Sequence, residues 1–266
     1  MNRVSALPQI GRRSALSACL ALLVVACRSS REAPENQPAR VVSLSPSTTE
    51  AVFAIGAGHL LVGRSSTCDV PKEAVRLPSV GGFASPSVEA IIALRPTLVV
   101  GARGPAGPSL EETLRARSIA TFFPETESVA QIEAMLFELG KKLGAEEGAS
   151  SAAVAIRKRV DEVTRAVANQ PKIKAILMFD VAPIFVTGPG SFPDELLRLA
   201  GGDNVIREGG AYPTVGIEHV IALDPDVILD GVAHADGSAG GVTAMRESAG
   251  WKEMRAVREG RIRALD

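Results

Sequence analysis

Short apolar runs alternate along the chain with segments whose apolar residues recur at helical spacing. In the first half, the runs predict strands at residues 40–44, 60–63, 98–100 and 119–123. Helices are predicted between and after them at 87–94, 109–117 and 127–143, the second opened by a capping box of Ser109 and Glu112. Because strands that alternate with helices form parallel sheets, this half predicts an α/β lobe built on a parallel sheet.

A segment without helix breakers follows at residues 149–169 and ends before Pro171. At 1.5 Å per residue, it predicts a helix about 30 Å long. Beyond it the alternation starts again, with strands predicted at 173–179, 184–187, 204–206, 227–229 and 261–265 and helices at 193–199, 217–223 and 251–257. The second half therefore predicts another α/β lobe, and the long helix is able to join the two.

One unit of helix, proline and strand occurs in both halves. VEAIIALRPTLVV at 88–100 aligns with IEHVIALDPDVIL at 217–229 without a gap. The period is too long and the copies are too few for a solenoid. The predicted fold class is α/β, with two α/β lobes joined by a single long backbone helix and a ligand cleft between them, because ligands of open α/β sheets bind beyond the carboxyl ends of the strands. The predicted divisions are an N-terminal lobe at 40–148, a linking helix at 149–170 and a C-terminal lobe at 171–266.

The first 26 residues have the composition of an export signal. Three arginines and no acid accompany a short apolar run, SALSACLALLVVA, which is shorter than the roughly 20 residues of a permanent membrane span. The run ends in VVAC, which resembles a bacterial lipobox, so Cys27 is the predicted lipid anchor and 27–39 a flexible tether. We expect the protein in the periplasm or at the cell surface, attached to the membrane. Ordinary cleavage after Ala26 is the alternative, and the Sec and twin-arginine routes both stay open.

Composition and charge exclude several classes of protein. Hydrophobic residues at 46% and charged residues at 22% exclude disorder for most of the chain. A balance of 29 Lys and Arg against 30 Asp and Glu provides no basic field for nucleic acid. Apart from Cys19 in the signal and Cys27, Cys68 is alone, so no disulfide is predicted. Three scattered histidines without clustered carboxylates argue against a metal held by protein ligands.

Sequence motifs of catalysis are missing. The chain has no G-x-S-x-G elbow and no G-x-x-x-x-G-K-[ST] loop, and Gly188-Pro189-Gly190 lacks the lysine that a phosphate loop requires. We therefore expect a protein that is not an enzyme and has no resident cofactor. The alternatives to a binding protein that serves an importer are an exported ligand sensor and an exported hydrolase.

Several ordered segments resemble one known family. They are RVVSLSPSTTEAVFAIGAGHLLVG, SVEAIIALRPTLVV, DELLRLAGGDNVI and IEHVIALDPDVIL. Over residues 40–266 the chain resembles the helical-backbone class of periplasmic binding proteins, which serve importers of iron complexes and vitamin B12, and most of all the vitamin B12-binding members. The resemblance implies a monomeric lipoprotein that captures cobalamin, a ferric siderophore or haem and delivers it to an ABC permease. It also implies a loop and a closing helix beyond the last strand, where this sequence ends at Asp266, so we expect exposed apolar surface there.

The resemblance also implies roles for single residues. Glu89 and Glu218 match the positions whose carboxylates engage arginines of the permease dimer, and one on each lobe would meet one subunit each. Without the repeat, either would be an ordinary solvated acid in the first turn of a helix.

Ligand contacts are implied for residues in loops of both lobes. Those carried over from the family are Thr67, Phe83, Arg103, Phe179 and Tyr212. Thr67 and Ala102 are small where cobalamin-binding relatives have aromatic rings. His234, in a glycine-rich loop, is a further candidate because its imidazole is able to reach a metal centre in the ligand. A solvated loop arginine and a lone surface histidine are the alternatives for Arg103 and His234.

Overall fold

The computed structural model describes residues 39–103, 107–231 and 240–265. The predictions for the signal segment, for Cys27, for most of the tether and for His234 fall outside these ranges. Inside them, no helix combines the length and the apolar character that crossing a membrane requires.

The first sheet is parallel, as its sequence predicts. Its strands in spatial order are β2 (Leu61–Arg64), β1 (Val41–Ser43), β3 (Leu98–Val100) and β4 (Ala120–Phe122). Because successive side chains of a strand point to opposite faces, this sheet has an apolar core on each side. Val41 and Val100 are buried in one core, and Val42 and Val99 in the other.

Helices cover both faces of this sheet. They are α1 (Pro46–Ala54), α2 (Val88–Ala93), α3 (Gly107–Arg115), α4 (Val129–Leu143) and α5 (Glu146–Val167), with 3-10 turns at Gly58–Leu60 and Ala74–Arg76. The predicted capping box of α3 is wrong. The helix begins at Gly107, so Ser109 lies inside it, and the Ser109 carbonyl accepts a hydrogen bond of 2.8 Å from the Thr113 hydroxyl. Pro108 fits the first turn because that turn does not need its missing N–H.

Helix α5 is the long helix of the sequence pattern, and it begins three residues and ends two residues before the predicted bounds. It begins at Glu146 because acids in the first turn interact favourably with the helix dipole. It ends at Val167, whose carbonyl accepts from the Gln170 amide at 2.9 Å in the turn before Pro171. The helix packs very closely on the end of α1, since a Cβ added at Gly148 would lie 2.0 Å from the Ile55 carbonyl oxygen.

The second sheet is mixed, unlike the first. Its strands are β5 (Ile173–Val181), β6 (Ile184–Val186), β7 (Gly202–Asn204), β8 (Thr214–Val215), β9 (Val227–Asp230) and β10 (Ile262–Ala264), in the order β10-β9-β5-β6-β8 with β7 also on β5. Strands β7 and β9 each pair with β5 in parallel, and β10 pairs with β9 in parallel. The β5–β6 and β6–β8 pairs are antiparallel. Only two residues connect β5 to β6, and a connection that short joins antiparallel strands only.

The helices of the second half are α6 (Phe192–Leu199), α7 (Ile217–Leu223), α8 (Gly240–Glu247) and α9 (Arg255–Arg258), with a 3-10 turn at Trp251–Glu253. The single helix predicted at 251–257 is wrong, because Met254 is extended at ψ 140° and divides it in two. That bend lets both Trp251 and Met254 lie in the core of the lobe. The strand predicted at 204–206 lies two residues earlier, where β7 pairs with the start of β5.

The sequence repeat has the same backbone in both halves. A residue with positive φ follows each of helices α2 and α7, Arg95 at 47° and Asp224 at 41°, directly before a proline and a strand of the sheet. An arginine contacts each of these helix ends. Arg40 donates to the Leu94 carbonyl at 2.7 Å, and Arg255 donates to the Asp224 carboxylate at 3.2 Å. The two units therefore present corresponding surfaces, one on each sheet.

Candidate functional site

Three aromatic rings form a cluster at the end of β5 and β6. Phe179 and Phe185 have ring centroids 5.8 Å apart, and Tyr212 lies 6.1 Å from the first and 6.2 Å from the second. These separations are within the range of favourable aromatic pairs. The two phenylalanines are half-buried and Tyr212 is 39% exposed, so the cluster presents ring surface outward. An apolar face of this size can contact a flat ligand.

Glycines bring the Tyr212 loop onto the turn after β6. The Gly188 amide donates to the Ala211 carbonyl at 2.8 Å, and a Cβ at Gly188 would lie 2.0 Å from the Gly210 carbonyl oxygen. Gly209 and Gly210 have φ of 95° and 84°, values that side chains rarely permit. The position of the Tyr212 ring therefore depends on glycine at residues 188, 209 and 210.

The Tyr212 hydroxyl reaches the other lobe. It donates a hydrogen bond of 2.8 Å to Oε2 of Glu127, in the loop that precedes α4. Partial burial raises the pKa of Tyr212, and the Glu127 carboxylate raises it further, because a nearby negative charge disfavours the tyrosinate. The aromatic cluster thus has a polar connection across the two lobes.

The predicted ligand residues of the N-terminal lobe follow the carboxyl ends of its strands. Thr67 is exposed, and its hydroxyl lies 2.9 Å from that of Ser65. Phe83 is half-buried. Arg103 is largely exposed, and its Nε lies 2.6 Å from Oε1 of Glu125. Among the residues that the structure describes, no hydrogen bond or ring contact joins Thr67, Phe83 or Arg103 to the aromatic cluster.

The two predicted docking glutamates occupy the same position of the repeat. Glu89 is the second residue of α2 and Glu218 the second residue of α7, and both are exposed. The Ser87 hydroxyl donates to Glu89 at 3.2 Å. Neither carboxylate forms an ion pair with another side chain of the described ranges. Both charges therefore face solvent, where a partner can reach them.

Sequence reasoning missed several residues at or near the site. Phe185 is the second residue of β6. The apolar run that predicts this strand does not reveal which face of the sheet the Phe185 side chain occupies. Glu125 and Glu127 lie in a polar loop without a motif of their own. The Ser128 N-cap and Gln131 form an S-x-x-Q pattern that marks the start of α4, and this signal would have directed attention to Glu127.

A separate apolar cavity of about 620 Å³ lies between α1, α4, α5 and the first residue of α6. Most of its wall consists of alanine, isoleucine, leucine and methionine side chains, with Phe192 from α6. No predicted ligand residue lines it, and the aromatic cluster lies outside its lining.

As for metal sites, the described ranges contain no group of three or more His, Cys, Asp or Glu side chains arranged to hold an ion.

Known proteins are similar to this chain in sequence and in fold. Residues 41–266 match the family model described as periplasmic binding protein. The vitamin B12-binding protein of Yersinia pestis (strain Pestoides F) is 33% identical over 198 residues, which cover 74% of this chain and 70% of that protein. The periplasmic vitamin B12 binding protein of Vibrio cholerae has a TM-score of 0.72 at 28% identity, with 86% of this chain and 88% of that chain covered. A periplasmic haem binding protein from Pseudomonas aeruginosa has a TM-score of 0.76 at 28% identity, covering 86% and 85%.

Proposed function

Because the chain belongs to the periplasmic binding protein family, we propose that it is the exported substrate-binding component of an ABC importer. It captures a metal chelate outside the inner membrane and delivers it to the permease. The observation that carries this proposal is the outward-facing aromatic cluster of Phe179, Phe185 and Tyr212 in the C-terminal lobe. A hydrogen bond from Tyr212 joins this cluster to Glu127 of the N-terminal lobe. Its function is binding rather than catalysis, and the chelate is a transported ligand rather than a resident cofactor.

The ligand chemistry that suits the cluster is a broad macrocycle with an apolar face. Aromatic side chains bind flat π systems and ring edges through large contact areas. Cobalamin and haem both offer such a face, and similar proteins are named for one or the other. Arg103 would suit an anionic group at the periphery of the ligand, with Glu125 released from it, while Thr67, Phe83 and His234 complete the proposed contacts. A ferric siderophore is the remaining possibility among metal chelates.

The permease contact that we propose uses Glu89 and Glu218. Their equal position in α2 and α7, their exposure and their lack of an ion pair with any described side chain support this role. Two equivalent carboxylates suit a partner made of two equivalent subunits. Export by the signal at 1–26 and a lipid on Cys27 would hold the protein near that partner, in the periplasm or at the cell surface.

The ligand is identified by absorption and titration. Protein purified from its native host is examined for a bound chromophore, because haem and cobalamin have different visible spectra. Ligand-free protein is then titrated with cyanocobalamin, haemin and a ferric siderophore. We expect saturable binding of one of them and a higher melting temperature in its presence.

Two matched variants locate that binding. Phe185→Ala removes a ring of the cluster, and Phe137→Ala removes a ring of α4 that is 44% exposed outside it. We expect up to about tenfold weaker affinity for the first and unchanged affinity for the second. Binding of none of the three chelates contradicts the proposed function, and equal affinity in both variants contradicts the proposed site. If deletion of the gene leaves uptake intact while the ligand still binds, the protein is a sensor instead.

A further inference from the structure

Two helices from different lobes begin with the same local arrangement. The Ser128 hydroxyl accepts from the Gln131 amide at 3.1 Å at the start of α4, and the Ser191 hydroxyl accepts from the Asp194 amide at 3.3 Å at the start of α6. In each helix the side chain of the third residue also accepts a hydrogen bond from the backbone amide of the residue before the N-cap. Gln131 accepts from Glu127 at 2.7 Å, and Asp194 accepts from Gly190 at 3.3 Å. These local bonds leave the first amide of each helix without a partner on its own segment.

Each of those first amides is bound by a carboxylate of the other lobe. The Val129 amide donates to Oε2 of Glu195 at 2.7 Å, and the Phe192 amide donates to Oε2 of Glu127 at 3.1 Å. The residues of each pair are more than sixty positions apart in the chain. Negative charge at a helix N-terminus is favourable because of the helix dipole, and hydrogen bonds to ionised groups are stronger than neutral ones. The exchange is reciprocal, so both lobes contribute a carboxylate and both receive one.

The same carboxylate oxygen holds the ring of the aromatic cluster. Oε2 of Glu127 accepts from the Tyr212 hydroxyl at 2.8 Å as well as from the Phe192 amide. Glu127 therefore connects the start of α4, the start of α6 and the Tyr212 loop at one point. Any change in the spacing of the lobes at this point would move Tyr212.

We infer that Glu127 and Glu195 form an inter-lobe latch, which fixes the spacing of the lobes at the start of α4 and α6 and holds the Tyr212 ring at the ligand face. Both glutamates are positioning residues. Glu127 is exposed and Glu195 half-buried, so water can replace either one. Their loss would therefore alter geometry at the site more than it would alter folding. The latch does not depend on which ligand is bound, and it goes beyond the proposed function.

The first experiment follows the ionisation of Tyr212 in the full chain. Tyr212 is the single tyrosine of the protein, so the ultraviolet absorbance of tyrosinate reports on it alone. We expect Glu127→Gln to lower the pKa of Tyr212 toward its ordinary value of 10.0, because the charge that disfavours tyrosinate is removed. The control is Glu138→Gln, which removes an exposed carboxylate of α4 that pairs with Lys141 and not with the latch. An unchanged tyrosine titration in Glu127→Gln would refute the latch.

The second experiment measures amide hydrogen exchange at the two helix starts. We expect Glu195→Ala to speed exchange of the Val129 amide and Glu127→Ala to speed that of the Phe192 amide, each by about tenfold, with the control Glu138→Ala changing neither. Equal melting temperatures of the variants would confirm that the effect is local. Unchanged exchange at both amides would overturn the inference.

The ligand readout separates this inference from the proposed function. Cyanocobalamin and haemin are titrated into the native protein and the Glu127 variants, and we expect weaker affinity in Glu127→Ala with partial rescue in Glu127→Gln. If neither chelate binds the native protein, the proposed function fails while the tyrosine and exchange results still decide the latch. If a chelate binds the native protein and Glu127→Ala equally well, the latch does not position the ligand face.

Discussion

Gly188 is the position where one methyl group should disturb the ligand face most directly. It is buried in the turn after β6, its φ is outside the left-handed region, and the Tyr212 loop crosses it. In Gly188→Ala, the new Cβ would lie 2.0 Å from the Gly210 carbonyl oxygen and 2.7 Å from Cδ of Pro213. Ordinary contacts begin near 3.4 Å, so the loop would have to retreat by about 1.4 Å. Both neighbours are backbone or a proline ring, which cannot rotate away.

The size of the effect follows from that displacement. Overpacking of this kind destabilises a protein by about 1–3 kcal/mol, which corresponds to roughly 2–12 °C in melting temperature for a chain of this length. Tyr212 is now 6.1 Å from Phe179, so a retreat of about 1.4 Å would take the pair beyond the roughly 7 Å limit of favourable ring contacts. Losing such a contact weakens ligand affinity by up to about tenfold.

Thermal unfolding and titration with the identified chelate measure the two effects. The control is Gly82→Ala, whose Cβ would have its nearest neighbour at 3.6 Å, and we expect native affinity and native or slightly higher stability from it. Native melting temperature together with native affinity in Gly188→Ala would refute the reasoning, since the loop would then be free to move without consequence.

Three further predictions concern the spine, the alkaline limit and the permease. Gly148→Ala should lower stability by about 1–3 kcal/mol, because its Cβ would lie 2.0 Å from the Ile55 carbonyl oxygen; a calorimetric melt as high as the native one would contradict this close packing. The pKa of Tyr212 is raised in the folded state, so its contribution to stability is complete below pH 10.0 and is lost as the pH rises through the folded pKa. Tyr212→Phe should therefore reduce the loss of stability at alkaline pH, and a profile of stability against pH identical to the native one would contradict this. Charge reversal of Glu89 and Glu218 together should abolish uptake while chelate binding survives, and normal uptake in the double variant would exclude their docking role.

Local patterns were sufficient where a segment's own residues determine its structure. Strand Leu98–Val100 and helix Ile217–Leu223 have the bounds that the apolar pattern predicts. The repeat also predicts the corresponding backbone of the two halves, because the proline after Arg95 and Asp224 ends the two helices within one position of each other. These features depend on neighbours within a few residues, which a single sequence displays.

Pairing and packing between segments were not visible in the same way. The antiparallel course of β6 was missed because the pattern shows the strand and not its partner. Helix α8 was not predicted at all, since its glycine-rich start resembles a loop. The split at Met254 arises because Trp251 and Met254 both have to be buried in one core. In each case the outcome depends on how segments pair and pack in the folded chain, which the apolar pattern of a single segment does not display.

The sequence by itself determined an α/β chain with a repeated unit, a long helix between the halves and, through its motifs, the family. Tertiary structure alone decided how Phe179, Phe185 and Tyr212 meet, because their rings come from three separate segments. It also decided the partner of Glu127, which lies 85 positions from Tyr212 and has no local motif that indicates the contact. Apolar periodicity is a property of neighbouring residues, whereas a hydrogen bond between lobes exists only once the chain has folded and brought the two lobes together.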